Sequence, residues 1–189
     1  MTTLYLVRHG ETFDNVFHIM QGQLQGELTD FGISQIGELA TSLSSIHFDA
    51  IVSSDLKRAS NSAQILARHF NLPVQGTPLL RERDWGDFTG WYIPDLEGLP
   101  MPDNVEDMET LLQRAADFLD WIYFNMQDKT ILAVGHGIIN KAIQAVFYRK
   151  QTREIPKMKN AEYRVLKLES RLVLPGWGTT KRTSTHIYK

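Results

Sequence analysis

The run Leu4-Tyr5-Leu6-Val7-Arg8-His9-Gly10-Glu11-Thr12 sets four consecutive apolar residues directly before an arginine, a histidine and a glycine. An unbroken apolar run of this length reads as a short strand buried on both faces. Ligands of open α/β sheets bind in the crevice beyond the carboxyl ends of the strands. Arg8 and His9 therefore deliver a guanidinium and a titratable nitrogen to the natural site. Neutral imidazole is nucleophilic, and guanidinium suits phosphate or carboxylate. The local chemistry points to attack on an anionic substrate.

A second run, Thr130-Ile131-Leu132-Ala133-Val134, ends the same way, in Gly135-His136-Gly137. If these two strands are neighbours, His9 and His136 face each other across one crevice. The segments between them supply the other layers. Thr29 reads as a helix N-cap, followed at helical spacing by Ile33, Ile36, Leu39, Ala40 and Leu43. Ala50-Ile51-Val52 is a further buried strand, and Ser53-Ser54-Asp55 leads into a helix with Ala59, Ala63, Leu66, Ala67 and Phe70 on one face. A long helix is expected from near Asn104, carrying Val105, Met108, Leu111, Leu112, Ala115, Leu119 and Ile122 inward, and another from Ile138 to Phe147. Tyr163 to Leu168 alternates as a strand, with Leu172-Val173-Leu174 as its candidate partner.

This alternation predicts one domain over residues 1–189: a three-layer α/β/α sandwich with a largely parallel central sheet. The segment 74–103, rich in Pro, Gly and aromatic residues, is expected to form a small lobe or lid over the site, burying Leu79, Leu80, Trp85, Phe88 and Trp91. Residues 179–189 read as a polar tail.

Composition narrows the function. Twenty Lys and Arg against twenty-two Asp and Glu give a formal charge of -2 without a long block of either sign, so neither nucleic acid nor a membrane surface is an expected partner. The chain has no cysteine, which removes disulfides, thiol nucleophiles and thiolate metal sites. The N-terminal apolar run is too short for a signal peptide, and no segment has the length of a membrane span; a cytoplasmic protein is expected. Nothing in the sequence sets an oligomeric state.

Arg58 adds a second cation, in the first turns of a helix that starts at a strand's carboxyl end, where free N–H groups attract anions. Arg8-His9-Gly10-Glu11-Thr12, Ser54-Asp55-Leu56-Lys57-Arg58-Ala59, Leu80-Arg81-Glu82-Arg83-Asp84-Trp85-Gly86-Asp87-Phe88-Thr89-Gly90 and Val134-Gly135-His136-Gly137 resemble, in that order, the signatures of the histidine phosphatase superfamily. That family includes cofactor-dependent phosphoglycerate mutases, fructose-2,6-bisphosphatases and many small phosphatases.

The resemblance implies a covalent mechanism on a small phosphate ester, with no cofactor and no metal. His9 attacks phosphorus as the neutral ring. Arg8, Arg58 and a protonated His136 hold the equatorial oxygens. Glu82 matches the general acid that serves the leaving oxygen and then water. Asn15 matches a phosphoryl-binding asparagine, and Thr12, Gln21, Gly22 (through its backbone) and Gly137 (through its N–H) match positions near the substrate. Departures occur at Gln25, Glu27, Asn61-Ser62, Thr89, Val105 and Asp107 on either side of a matching Glu106, and Lys141, none of them in the core of phosphoryl transfer. The stretch from Trp91 to Asn104 has no Lys or Arg, which favours water over a second, charged substrate as acceptor and a substrate body of little charge.

Overall fold

The computed structural model describes residues 1–169. Five strands form one sheet: β1 (Thr2–Arg8), β2 (Ala50–Ser54), β3 (Val74–Thr77), β4 (Thr130–Gly135) and β5 (Tyr163–Leu168), in the spatial order β3-β2-β4-β1-β5. All neighbours pair in parallel except β5, which runs antiparallel along β1. The helices α2 (Asp30–Ser42) and α3 (Lys57–Phe70) cover one face, and α4 (Met108–Asn125) and α5 (Gly137–Tyr148) the other. A short helix, α1 (Phe13–Val16), follows the end of β1.

The period of two along each strand divides the core. Leu4 and Leu6 of β1, with Ile131 and Ala133 of β4, pack toward α4 and α5, whereas Val7, Leu132 and Val134 pack toward α2 and α3. Both faces are covered, which explains why β1 and β4 are apolar without interruption. The three-layer α/β/α reading therefore holds, and β1 and β4 are direct neighbours, with Val7 beside Val134 and Arg8 beside Gly135.

Several local expectations change. The segment taken as a lobe begins with β3, a parallel edge strand beside β2 that is half exposed and carries Gln75 and Gly76, so its apolar signal is weak. Leu80 and Phe88 are buried as expected, but Trp91 is 52% exposed; its backbone is what the fold uses, its carbonyl accepting the Met20 N–H at 2.8 Å. The long helix starts at Met108, capped by Asp107, whose carboxylate accepts the Thr110 N–H at 2.7 Å. Asn104 instead closes the preceding loop against Asp87, while Met108 is exposed. In α2 the inward stripe is Gly32, Ile36, Leu39 and Ala40. Gly32 abuts Glu11, and Ile33, one position round the helix, is exposed. The Leu172–Leu174 pairing, the 179–189 tail and His186 lie outside the described residues. Among those described, no helix is long and apolar enough to cross a membrane.

Candidate active site

The carboxyl ends of β1, β4 and β2 lie side by side and carry Arg8-His9, His136 and Ser54. The His9 N–H donates to the Gly135 carbonyl at 3.1 Å, prolonging the ladder to His9. The rings of His9 and His136 lie 5.1 Å apart at 61°. This is the facing pair expected from the two His-Gly endings.

His9 is 2% exposed, and its Nδ1 lies 2.7 Å from the Gly10 carbonyl oxygen. A carbonyl only accepts, so Nδ1 carries the proton and the neutral ring keeps its lone pair on Nε2. Burial, and then the guanidinium groups of Arg58 and Arg8, hold this imidazole well below the ordinary value of 6.5. His136 is fully buried, with Nε2 2.9 Å from Ser54 Oγ and Nδ1 without a partner. Burial, followed by Arg58, His9 and Arg8, pushes it too well below 6.5. The protein's own groups thus favour the neutral ring, and the protonated His136 that the resemblance implies for holding a phosphoryl group needs an anion beside it to offset the two guanidinium groups.

Arg58 is 1% exposed, on the first turn of α3. Its Nη2 donates to the Gly22 carbonyl at 2.8 Å and its Nη1 to the Leu24 carbonyl, while Nε has no partner. Burial lowers its pKa to about 10, still far above neutrality. Arg8 donates from Nη1 to the Met158 carbonyl at 2.7 Å, and its buried Nε is also unpaired. Buried guanidinium groups with unsatisfied N–H donors are costly unless an anion completes them. The α3 N-terminus itself is not free, contrary to expectation: Gln25 accepts the Lys57 N–H through Oε1 and the Arg58 N–H through its carbonyl.

Glu82 sits across from this cluster with its carboxylate on the N-terminus of α5. Its oxygens accept the Ile138 and Ile139 N–H groups at 3.1 Å. A Cβ placed on Gly137 would lie 3.6 Å from Glu82 Oε2 and 3.7 Å from Arg8 Nε. Gly137, Glu82 and Arg8 thus converge on one point, and the Gly137 N–H makes no hydrogen bond among the described residues.

The other expected contacts divide. Asn15 Oδ1 accepts the Thr12 N–H at 3.2 Å and the Asn160 amide at 3.1 Å, so its NH2 end is the one left for a ligand. Thr12 is fully buried as the N-cap of α1, its hydroxyl taking the Asn15 N–H at 3.1 Å. Its hydroxyl oxygen and its backbone N–H are engaged in reciprocal capping with Asn15, while its O–H remains able to donate. Gly22, at φ +49°, holds Arg58 through its carbonyl and presents no donor by that route. Gln21 is buried beside Arg58, with Oε1 unpartnered.

Sequence reasoning missed four supports. Asn160 donates to the His9 carbonyl and to Asn15, both at 3.1 Å. Ser54 meets His136. Arg114 pairs with Glu106 at 2.8 Å and donates to the carbonyls of Leu79, Arg81 and Glu82, pinning the loop that carries Glu82. Ser62 accepts the Gly10 N–H. Ser54 lies inside one motif stretch and Glu106 is the matched position of another, whereas Asn160, Arg114 and Ser62 fall at no matched position. Among the described residues no group of three or more His, Cys, Asp or Glu is arranged to hold a metal ion.

Residues 4–173 match the family described as histidine phosphatase superfamily, branch 1. A metal-independent phosphoserine phosphatase of Arabidopsis thaliana is 28% identical, over 98% of this chain and 84% of its own. The adenosylcobalamin/alpha-ribazole phosphatase of Escherichia coli is 31% identical, over 74% and 76%. A solved mycobacterial glucosyl-3-phosphoglycerate phosphatase, complexed with VO3, superposes with a TM-score of 0.81 at 28% identity, covering 87% of this chain and 92% of that one. With its sheet, its paired histidines and the two arginines beside them, this chain belongs to the histidine phosphatase superfamily and is a phosphatase of that family.

Proposed function

We propose that the protein hydrolyses phosphomonoesters of small metabolites through a phosphohistidine on His9, using Arg8, Arg58, His136 and Glu82. The observation that carries this reading is the His9 ring. It is buried, held with Nδ1–H on the Gly10 carbonyl, and flanked by two arginines whose Nε donors are unpaired. In the first step His9 Nε2 forms a bond to phosphorus as the ester P–O bond breaks, and Glu82 gives its proton to the leaving oxygen. In the second, water attacks phosphorus, the N–P bond breaks, and Glu82 takes the proton, releasing inorganic phosphate. The guanidinium groups meet the charge on the equatorial oxygens. A bound dianion adds negative charge beside His136, which raises its pKa and turns it into a further donor.

Water as acceptor, rather than a second phosphoglycerate as in a mutase, agrees with a segment from Trp91 to Asn104 that offers no cation. A small substrate body with little charge follows from the same feature, and a cytoplasmic setting agrees with such substrates. A module that only binds phosphorylated ligands would not need the acid, and Glu82 is present and aimed at the site. The test is hydrolysis of p-nitrophenyl phosphate with and without vanadate, followed by quench in alkaline denaturant, in which the N–P bond survives, and detection of phosphohistidine. Turnover blocked by vanadate, with label on wild type and none on His9→Ala, is expected. Absence of turnover, or His9→Ala turning over at the wild-type rate, refutes the proposal. Phosphoryl exchange between phosphoglycerates faster than hydrolysis would select the mutase.

A further inference from the structure

Glycine at position 10 solves one problem and creates another. A Cβ there would lie 2.4 Å from the Gly32 carbonyl oxygen, so only glycine allows this loop to meet α2. Yet glycine is the residue least able to hold its own backbone still, and it directly follows the nucleophile. Every polar group of the two peptides around it is engaged. The His9 carbonyl accepts from Asn160 Nδ2 at 3.1 Å and from the Ala161 N–H at 3.2 Å. The Gly10 N–H donates to Ser62 Oγ at 3.1 Å. The Gly10 carbonyl accepts His9 Nδ1–H at 2.7 Å, and the Glu11 N–H donates to Gln35 Oε1 at 2.9 Å.

Ser62 is fully buried, and its hydroxyl has a defined direction. It donates to the Arg58 carbonyl at 2.8 Å, which leaves its lone pairs for the Gly10 N–H. One hydroxyl therefore ties the nucleophile loop to the turn of α3 that carries Arg58. Gln35 holds the next peptide from α2, the peptide whose carbonyl sets the His9 tautomer.

We propose that Ser62 and Gln35 are positioning residues for His9: together they fix the two peptides about Gly10, so that its carbonyl keeps the proton on Nδ1 and the lone pair on Nε2, in register with Arg58. This rests on His9 being the nucleophile. Neither residue touches the substrate, and each acts through the glycine backbone. Without Ser62 the Gly10 N–H is a buried donor with no partner, and the peptide turns to find one. The carbonyl is then released from the imidazole, and both ring tautomers become populated.

The experiment compares wild type with Ser62→Ala, Ser62→Thr, Gln35→Ala and His9→Ala on p-nitrophenyl phosphate, with nitrogen-15 shifts of the His9 ring. Ser62→Ala is expected to lower kcat about 10- to 100-fold with KM within about twofold, as for a misplaced reacting group. Ser62→Thr, which keeps the hydroxyl, recovers most of the rate. Gln35 is only half buried, so its variant folds whatever Ser62→Ala does, and it is expected to lower kcat about 10-fold. In both variants the ring shifts move from a single Nδ1–H form to a mixture. Wild-type kcat in both Ser62→Ala and Gln35→Ala, or a lost rate with the His9 tautomer unchanged, overturns the proposal. If Ser62→Ala does not fold, Gln35→Ala decides, together with Gly10 amide exchange in the wild type, which must be slow. A fully active His9→Ala would instead remove the nucleophile reading.

Discussion

Acid should unfold this protein through two rings at its centre. His9 and His136 are buried and held neutral in the folded state, each with its pKa well below 6.5. In the unfolded chain both return to about 6.5. Below that value the unfolded state binds more protons, so stability rises with pH and falls as pH drops from 6.5 toward the folded-state values. For one ring that stays neutral when folded, lowering pH from about 7.5 to about 5.5 removes about 1.4 kcal/mol, and for two rings about 2.7 kcal/mol. The window avoids the carboxylates of Glu27, Asp55 and Glu162, which arginine, lysine and backbone donors hold below their ordinary 4.5 or 3.8, and whose contribution is lost only at lower pH. Urea unfolding followed by tryptophan fluorescence, in buffer free of phosphate, gives the free energy at each pH. His9→Asn should show about half the pH-dependent loss, and the double variant with His136→Asn none of it beyond what other groups contribute. If wild type and double variant lose the same stability over this interval, the rings are not buried neutral, and the electrostatic account of the site is wrong.

Other outcomes follow from the same geometry. Glu82→Gln keeps an oxygen for the α5 N-terminus but has no proton to give; it should lower kcat about 100-fold or more for alkyl phosphates and far less for p-nitrophenyl phosphate, whose leaving group needs no acid. Arg58→Lys loses the fork that grips Gly22 and Leu24 and should cut kcat/KM by about 100-fold, read by steady-state kinetics. Vanadate at about 100 times its Kd should raise the unfolding free energy by about 2.7 kcal/mol, and this gain should vanish in an Arg8→Ala, Arg58→Ala double variant. Gly10→Ala meets the Gly32 carbonyl and should lose about 2 kcal/mol or more in urea, because neither backbone can retreat.

The parts legible in sequence were those whose signal is local. β1 and β4 are buried on both faces, so they read as plain apolar runs with matching His-Gly ends, and only their adjacency in the sheet had to come from the structure. β3 was hidden because an exposed edge strand containing Gln75 and Gly76 carries no such run. The start of α4 was misplaced because Asn104 and Asp107 are both good caps, and only the loop around Asp87 chooses between them. The supports of the site were hidden for a different reason. Asn160 lies 151 residues from the His9 it holds, Arg114 lies 32 from Glu82, and Ser62 lies 52 from Gly10. No spacing rule reaches across such distances. The resting charge of His136 was not legible because a motif records a side chain's role with substrate present, whereas the resting charge depends on every neighbour packed around it.

The place of β4 in the sheet has a consequence for how the protein is made. β1 and β2 are separated by β4, so neither strand finds its inner neighbour until residues 130–135 have left the ribosome. A nascent chain that ends before them holds His9, Arg58 and Glu82 and can pair β2 with β3, but β1 and its His9 have no strand to join them to that pair. Late insertion of a central parallel strand is a slow, long-range step that leaves apolar edges open in the meantime. Recovery of activity on refolding should therefore keep pace with closure of the sheet, so that enzyme turnover serves as a clock for the insertion of its central strand.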